Sequence, residues 1–326
     1  MTQKPDEVLY EESKALPIIA SCDHYAGKEA FIIKAFEIQN SIGPFFDVTC
    51  DLEDGAANGN EAEHLRKVSE ILNSNLNQFH MAGVRIHPVT SPFWEEEISH
   101  IIRNSGTRIS HITLPKVCSA DEVFLVSETI QSLCNEIGIE KEIGLHVLIE
   151  SQDALQEVFE IATIPGLRGL DFGIMDFISS HDGVIPIECL RSPGQFEHAL
   201  LKRAKAAIVA AATLNGLIAS HNVNIAYEDT EGTKLDALRA RKEFGFLRMW
   251  SINPSQIRPI IEAMSPSFED IEKACKILLL AQRENWGPIS FGSELYDKAS
   301  YRYYWQLLKR AKCSGLPLPD ESLTLF

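Results

Sequence analysis

Eight short runs along the chain are almost continuously apolar: LPIIASC, FFDVTCD, GVRIHP, HITLPKV, IGLHVLIE, LRGLDFG, GLIASHNVNI and LRMWSIN. Little polar alternation interrupts them, which is the pattern of a strand buried on both faces. The longer stretches between them carry helical spacing. After HITLPKVC, Val123, Val126, Ile130 and Leu133 recur at three- and four-residue steps. Ser119 and Glu122 precede that stretch as a capping box, each side chain placed to bond the other residue's amide. Ser91-Pro92 predicts another helix start, with a cap residue followed by Pro at the first helical position. Gly166, Gly216 and Gly245 each fall where a helical stretch ends, the place for a left-handed residue.

Eight strand–helix units in about 250 residues predict an α/β fold, a (β/α)8 barrel. A doubly wound sheet is the alternative, but it calls for a Gly-rich phosphate turn after the first strand, and none is present. Residues after the eighth run exceed what one closing helix needs. SPSFEDIEKACKILLLAQ reads as a helix, ISFGSELYD as a hairpin or loop, and KASYRYYWQLLKRA as a final helix. The expected division is a barrel over residues 1–262 and a C-terminal helical lid over 263–326. No internal repeat or low-complexity tract stands out.

Charge narrows the partners. The 326 residues hold 30 Lys plus Arg against 46 Asp plus Glu, a formal charge of −16. A chain this acidic is not expected to bind nucleic acid or an anionic membrane through its overall field. An anionic substrate would need a local basic patch or a metal ion. The seven cysteines are scattered, odd in number and without a CxxC pair, which reads as reduced thiols in a cytoplasmic protein. No His or Lys forms a suggestive motif with any of them, so a catalytic thiolate is the weaker reading. The N-terminal stretch resembles neither a signal peptide nor a transit peptide, and no segment approaches the 18 or so apolar residues of a membrane span.

Reactive groups of such a barrel lie at the C-terminal ends of its strands. Run two ends in Asp51-Leu-Glu53-Asp54-Gly55, run three carries Arg85 and His87, and run four ends in Pro115-Lys116. Run five ends in Glu150, run six leads to Asp176, and run eight gives Asn253. Up to five carboxylates therefore share one rim with Arg85 and Lys116 as the nearby cations. Two like charges about 4 Å apart repel by about 4 kcal/mol at an effective dielectric of about 20. The rim must bind a cation, hold protons or spread apart. Carboxylates without His or Cys partners favour magnesium, which takes one or two of them and fills its shell with water and substrate oxygens. The plainer alternative makes these acids solvated strand ends or helix caps. His87, beside Pro88, reads first as a packed loop histidine, and His24, His181 and His221 as packing groups. Tyr301, Tyr303, Tyr304 and Trp305 read as the core of the last helix.

The ordered motifs Asp51-Leu-Glu53-Asp54, Val84-Arg85-Ile86-His87-Pro88, Leu114-Pro115-Lys116-Val117, Ile149-Glu150, Phe172-Gly173-Ile174-Met175-Asp176 and Asn253-Pro254-Ser255-Gln256-Ile257 resemble the HpcH/HpaI aldolase and citrate lyase beta superfamily. The resemblance runs from residue 17 to residue 312, and the Glu150-to-Asp176 interval fits that superfamily's metal pair. Gly292-Ser-Glu-Leu-Tyr-Asp297 before the last helix is similar to the branch of citrate lyase beta, malyl-CoA and citramalyl-CoA lyases.

The resemblance implies a magnesium-dependent carbon–carbon lyase of 3-hydroxyacyl thioesters. Glu150 and Asp176 would ligate Mg2+, and Glu53 and Asp54 would hold its waters. Arg85 would bind the oxygen that gains charge. Lys116, His87 and Asn253 would contact substrate. Asp297, on a lid from an adjacent subunit, would be the general acid or base of a homotrimer or hexamer. Relatives usually read Asn at His87 and His at Asn253, and Cys22-Asp-His-Tyr-Ala-Gly-Lys28 replaces their Pro-Gly first-strand signature. Two further readings are an aldolase of free hydroxy-oxo acids without coenzyme A, and a non-catalytic acyl-binding subunit. Retention of Glu150, Asp176 and Arg85 argues against the last. Arg302, Lys309, Arg310 and Lys312 could supply a basic patch for a nucleotide phosphate.

Overall fold

The structure, a computed structural model, describes residues 3–10, 15–56 and 59–326. It divides into two compact units, Ser21–Met264 and the described part of Met1–Ala20 with Ser265–Phe326.

In the first unit, strands β1 (Cys22–Ala26), β2 (Asp47–Asp51), β3 (Ala82–Arg85), β4 (His111–Leu114), β5 (Gly144–Ile149), β6 (Leu167–Phe172), β7 (Ile218–His221) and β8 (Arg248–Ser251) close in chain order into a parallel barrel. β8 returns to β1 with Cys22 opposite Met249 and His24 opposite Ser251. Seven strands coincide with the apolar runs. The first does not: it starts at Cys22, where LPIIASC ends, because the polar residues beyond it are satisfied inside the barrel. Asp23 accepts from Thr49 Oγ1 at 2.8 Å and ion-pairs with Arg248 Nη2 at 2.8 Å. His24 Nδ1 lies 2.8 Å from Ser251 Oγ.

Two helix starts also differ from expectation. Ser119 caps the helix Ala120–Ile137 by accepting from the Glu122 amide, but Glu122 Oε2 accepts from the Cys118 amide at 2.7 Å, one residue outside the expected box. The stretch after Ser91-Pro92 turns before it coils, so the helix begins only at Trp94. Gly216 and Gly245 do take positive φ at helix ends, and Gly166 takes it in the turn before β6.

Charged and hydrogen-bonding groups fill the middle of the barrel. Arg248 is 1% exposed and pairs with Asp23 and, at 2.5 Å, with Asp47 Oδ2. Burial opposes its charge, yet Asp23, Asp47 and Asp171 outweigh that and raise its pKa. The His111 and His146 rings stack at 4.5 Å, and His146 Nδ1 lies 3.5 Å from Asp171 Oδ2.

The second unit packs helices Phe268–Arg283 and Lys298–Cys313 with the antiparallel hairpin β9 (Ile289–Phe291) and β10 (Glu294–Tyr296). Its core joins Ile271, Leu278, Tyr301, Trp305 and Leu308 to Val8 and Leu9. The helix Pro5–Leu9 therefore belongs here and not to the barrel expected from residue 1. Trp305 Nε1 donates to Asp6 Oδ1 at 2.7 Å, and Arg302 Nε donates to the Leu9 carbonyl at 2.6 Å. No helix among the described residues is long and apolar enough to cross a membrane.

Among the described residues Lys205 is buried with no carboxylate at ion-pair distance. Lys205 on the helix Ala199–Leu214 donates to His221 Nε2 at 2.6 Å and Gln195 Oε1 at 3.2 Å, over the Phe196 ring. Burial holds its pKa well below the ordinary lysine value. The folded chain thus binds fewer protons here than the unfolded chain does below about pH 10.5, and stability falls as pH falls. Lys205→Met should melt higher than the parent at pH 6.5, with the gap narrowing towards pH 10. Thermal melts at both pH values check this; a pH-independent gap would mean that Lys205 is charged in the fold.

Candidate active site

The C-terminal mouth of the barrel gathers the expected carboxylates, but into two unlike sets. The first is compensated. Asp51, at the end of β2, accepts from Arg85 Nε at 2.7 Å and Nη2 at 2.5 Å, a bidentate fork from the neighbouring β3. It also accepts from the Glu53 and Gly55 amides at 3.1 and 2.8 Å, which folds the loop after β2 back on itself. Glu53 Oε2 is 3.4 Å from Arg85 Nη1. Lys116 Nζ donates to Glu53 Oε1 and, at 2.7 Å, to Asp54 Oδ2. Burial pushes the Asp54 carboxyl up, but Lys116 outweighs it and leaves Asp54 below its ordinary value. Arg85, buried among these acids, is raised above the usual arginine value by Asp51 and Glu53 despite its desolvation.

Among the described residues the second set forms no ion pair, and Arg85 reaches Glu150 only at longer range. Glu150, which follows β5, is 3% exposed, and its Oε2 accepts the Lys116 amide at 2.8 Å. Burial first, and the charge of Asp176 second, push its pKa up to about 8. Gly173 faces it, and a Cβ there would overlap the carboxylate. Asp176 lies beyond the strand end, in the first turn of the helix Ile174–Ser179. The helix start tolerates a negative charge, so the two acids approach from different kinds of element.

A cavity of about 300 Å3 opens beside Arg85 and Asp51. Tyr25, Phe31 and Trp250 give it aromatic walls, Asn253 and Pro254 form one edge, and Lys34 reaches its lining. Tyr25 and Trp250 pack at 4.9 Å, the Arg85 guanidinium stands 5.4 Å from the Tyr25 ring, and Trp250 Nε1 donates to the Phe172 carbonyl at 3.3 Å. Sequence reasoning missed both aromatics. Tyr25 lay beyond the run taken for β1, and Trp250 sat inside an apolar run. Inward alternation from Asp23 and Arg248 would have pointed to each.

Three expected site residues have other partners. His87 Nδ1 lies 2.6 Å from Glu97 Oε1, and its amide donates to Glu97 Oε2 at 2.8 Å, so it packs against the helix Trp94–Ser105. Asn253 reaches the cavity, yet its Oδ1 accepts from the Ser255 amide and hydroxyl at 3.0 and 2.9 Å, capping the next helix. Asp297, in the second unit, accepts from the Ala299 amide at 2.9 Å as the cap of its own helix. Cys22 carries no thiolate, since burial pushes it up to about 12.

Among the described residues no three or more His, Cys, Asp or Glu side chains converge on a metal position. Glu150 and Asp176 are the two-carboxylate, all-oxygen set that suits magnesium, with the rest of the shell left to water and substrate. Their fit rests on Glu150: a buried carboxyl with a raised pKa gains most from an added cation.

The HpcH/HpaI aldolase/citrate lyase family profile matches residues 39–254. An L-malyl-CoA/beta-methylmalyl-CoA lyase of Rhodobacter capsulatus is 28% identical over 277 residues, covering 81% of this chain and 87% of the relative. A crystal structure of a citrate lyase from Burkholderia xenovorans LB400 is 42% identical, with a TM-score of 0.86 over 99% of this chain and 100% of that one. The protein CitE of Mycobacterium tuberculosis, in complex with magnesium, acetoacetate and coenzyme A, shares the fold at a TM-score of 0.67 and 20% identity, over 90% and 98% of the two chains.

The Asp51 fork makes a stability prediction. Asp51→Asn removes the charge opposite a buried guanidinium, so it should cost about 3–5 kcal/mol, the scale for breaking a buried ion pair. Denaturant unfolding measures it; a loss below about 1 kcal/mol would mean that Glu53 alone suffices.

Proposed function

The chain belongs to the HpcH/HpaI aldolase/citrate lyase family, and from that premise we propose that it is a magnesium-dependent carbon–carbon lyase cleaving a 3-hydroxyacyl-CoA ester of the malyl or citramalyl type. The products would be an acyl thioester and a 2-oxo acid. The observation that carries this reading is the carboxylate pair Glu150 with Asp176, which forms no ion pair, at the same barrel mouth as the Arg85–Asp51 fork. The named activity of the Rhodobacter relative and the ligands of the Mycobacterium protein support it.

Glu150 and Asp176 would hold the magnesium ion. When bound there, magnesium supplies Lewis-acid polarisation of the carboxylate and 2-oxygen of the substrate. Glu53 and Asp54 lie within reach of the same rim through Lys116 and would orient its waters. Cleavage removes the hydroxyl proton and breaks the bond between the carbinol carbon and the carbon next to the thioester. The bonding pair moves to the thioester as an enolate. Arg85 is fixed by Asp51 before substrate arrives, so its charge stabilises the developing oxyanion without reorganising. A general acid then protonates the enolate carbon. The apolar cavity walls of Tyr25, Phe31 and Trp250 would exclude water from the reacting thioester.

Asp297 fits the general acid or base as the contribution of an adjacent subunit. It is exposed just past the hairpin β9–β10. Its side chain accepts from the Ala299 amide and, in a capping box, from the Ser300 amide. Each active site would then be shared, and the enzyme would be an obligate oligomer, a trimer or a multiple of one.

A panel of CoA thioesters and free hydroxy-oxo acids, incubated with magnesium and read by mass spectrometry, tests the reaction. Asp176→Asn should abolish turnover while leaving the melting transition in place, and excess chelator should do the same to the parent. Full activity in either condition ends the metal reading.

The shared site has its own test. Asp297→Ala and Asp176→Ala proteins should each be nearly inactive alone. Mixed and reassembled, they should recover part of the parental activity, because some interfaces join an intact lid to an intact barrel. A mixture that stays inactive despite demonstrated subunit exchange returns Asp297 to a helix cap.

A further inference from the structure

Lys116 has two ends at work in the site, and its backbone is held in a conformation that a side chain disfavours. The β4 ladder ends where Leu114 faces Val147 on β5. Two residues later Lys116 takes φ +51°, in the left-handed region where a Cβ is strained. Such a residue persists only where its surroundings fix it, and these outliers gather at functional positions. Here the turn aims the Lys116 amide at Glu150 Oε2, 2.8 Å away. The side chain donates to Glu53 Oε1 and, at 2.7 Å, to Asp54 Oδ2. Lys116 is not among the residues that line the cavity beside Arg85.

We propose that Lys116 is a positioning residue and not a substrate ligand: its left-handed backbone presents the amide to Glu150, and its ammonium ties Glu53 and Asp54 to the end of β4. One residue thereby sets three carboxylates that stem from β2 and β5. The inference rests on reading Glu150 as a metal ligand, since a misplaced Glu150 would then loosen the ion. It also explains a lysine where a glycine would take the same backbone freely: Gly keeps the amide and loses the ammonium.

The two ends can be separated by substitution. Gly and Asn accept positive φ, whereas a β-branched residue resists it. Lys116→Gly and Lys116→Asn keep the amide on Glu150; Lys116→Val turns it away. Titration of Mn2+, followed by its electron paramagnetic resonance, reads affinity without turnover. Lys116→Val should bind Mn2+ about 10- to 100-fold more weakly than Lys116→Gly, the range for groups that orient a ligand. Equal affinities for Val and Gly would overturn the role of the amide. If the Val protein shows no cooperative melt, the parent labelled with 15N-lysine supplies the answer. Its Lys116 amide resonance should move on Glu150→Gln, and an unmoved resonance overturns the proposal. For the ammonium, Lys116→Gly should lower kcat and leave KM for the thioester little changed. A raised KM with kcat intact would restore Lys116 as a substrate ligand. A parent that binds no divalent ion would count against the proposed metal site, while the Glu150→Gln amide response would still judge Lys116.

Discussion

A single buried guanidinium at the barrel seam underlies the rest of the structure. Arg248 begins β8, the last strand to join, and it pairs with Asp23 on β1 and Asp47 on β2. The closing strand is thus held by two charges on the strands it must meet, in addition to its backbone ladder with β1. Desolvating these groups costs several kcal/mol per ion, and good geometry with further hydrogen bonds has to offset it. Thr49 supplies one, donating to Asp23 at 2.8 Å. Two residues above Arg248 stands Trp250, and two above Asp23 stands Tyr25, so the ionic layer directly carries the aromatic walls of the cavity. The Tyr25 ring in turn lies under Arg85. Register in a barrel propagates with period two, and an ionic layer fixes that register more sharply than interchangeable aliphatic side chains would.

At the mouth, the decisive quantity is which acids have cations. Asp51, Glu53 and Asp54 share Arg85 and Lys116, in contacts no longer than 3.4 Å. Glu150 receives an amide from Lys116, feels Asp176 as a like charge, and is reached by Arg85 at longer range without an ion pair. The same residue types at the same rim therefore do different things. The first set locks the arginine in place, and the second would hold the ion of the proposed reaction. A second pair of basic side chains at the rim would have erased that difference.

Much of the fold was legible because parallel strands buried on both faces leave continuous apolar runs. β2 to β8 are of that kind. β1 was not, since Asp23 and His24 are buried by ionic and hydroxyl partners that come from β2 and β8, far away in sequence. The same cause hid other features. Nothing near His87 in the chain marks Glu97 as its partner across a turn, and nothing near Val8 and Leu9 marks the C-terminal helices as their core. Glu150 could be read from its place at the end of an apolar run. Asp176 could be read only as a residue that a strand leads to, and its true setting is the first turn of a helix. Lys116 was visible as a cation near the acids. Its left-handed backbone was not, because lysine carries no conformational signature of the kind that glycine does.

The charge balance also bears on how an acidic protein could take an anionic substrate. With a formal charge of −16, the chain offers no long-range attraction for a carboxylate or a phosphate. Locally, the two cations of the rim are already committed to three acids. Lys34, at the cavity, is itself 3.2 Å from Glu37. An entering acid anion would meet a mouth that is negative even after these pairings, at about 4 kcal/mol per close like-charge contact. A divalent ion on Glu150 and Asp176 would cancel the charge of those two acids. In the proposed reaction the ion would therefore serve admission as well as polarisation.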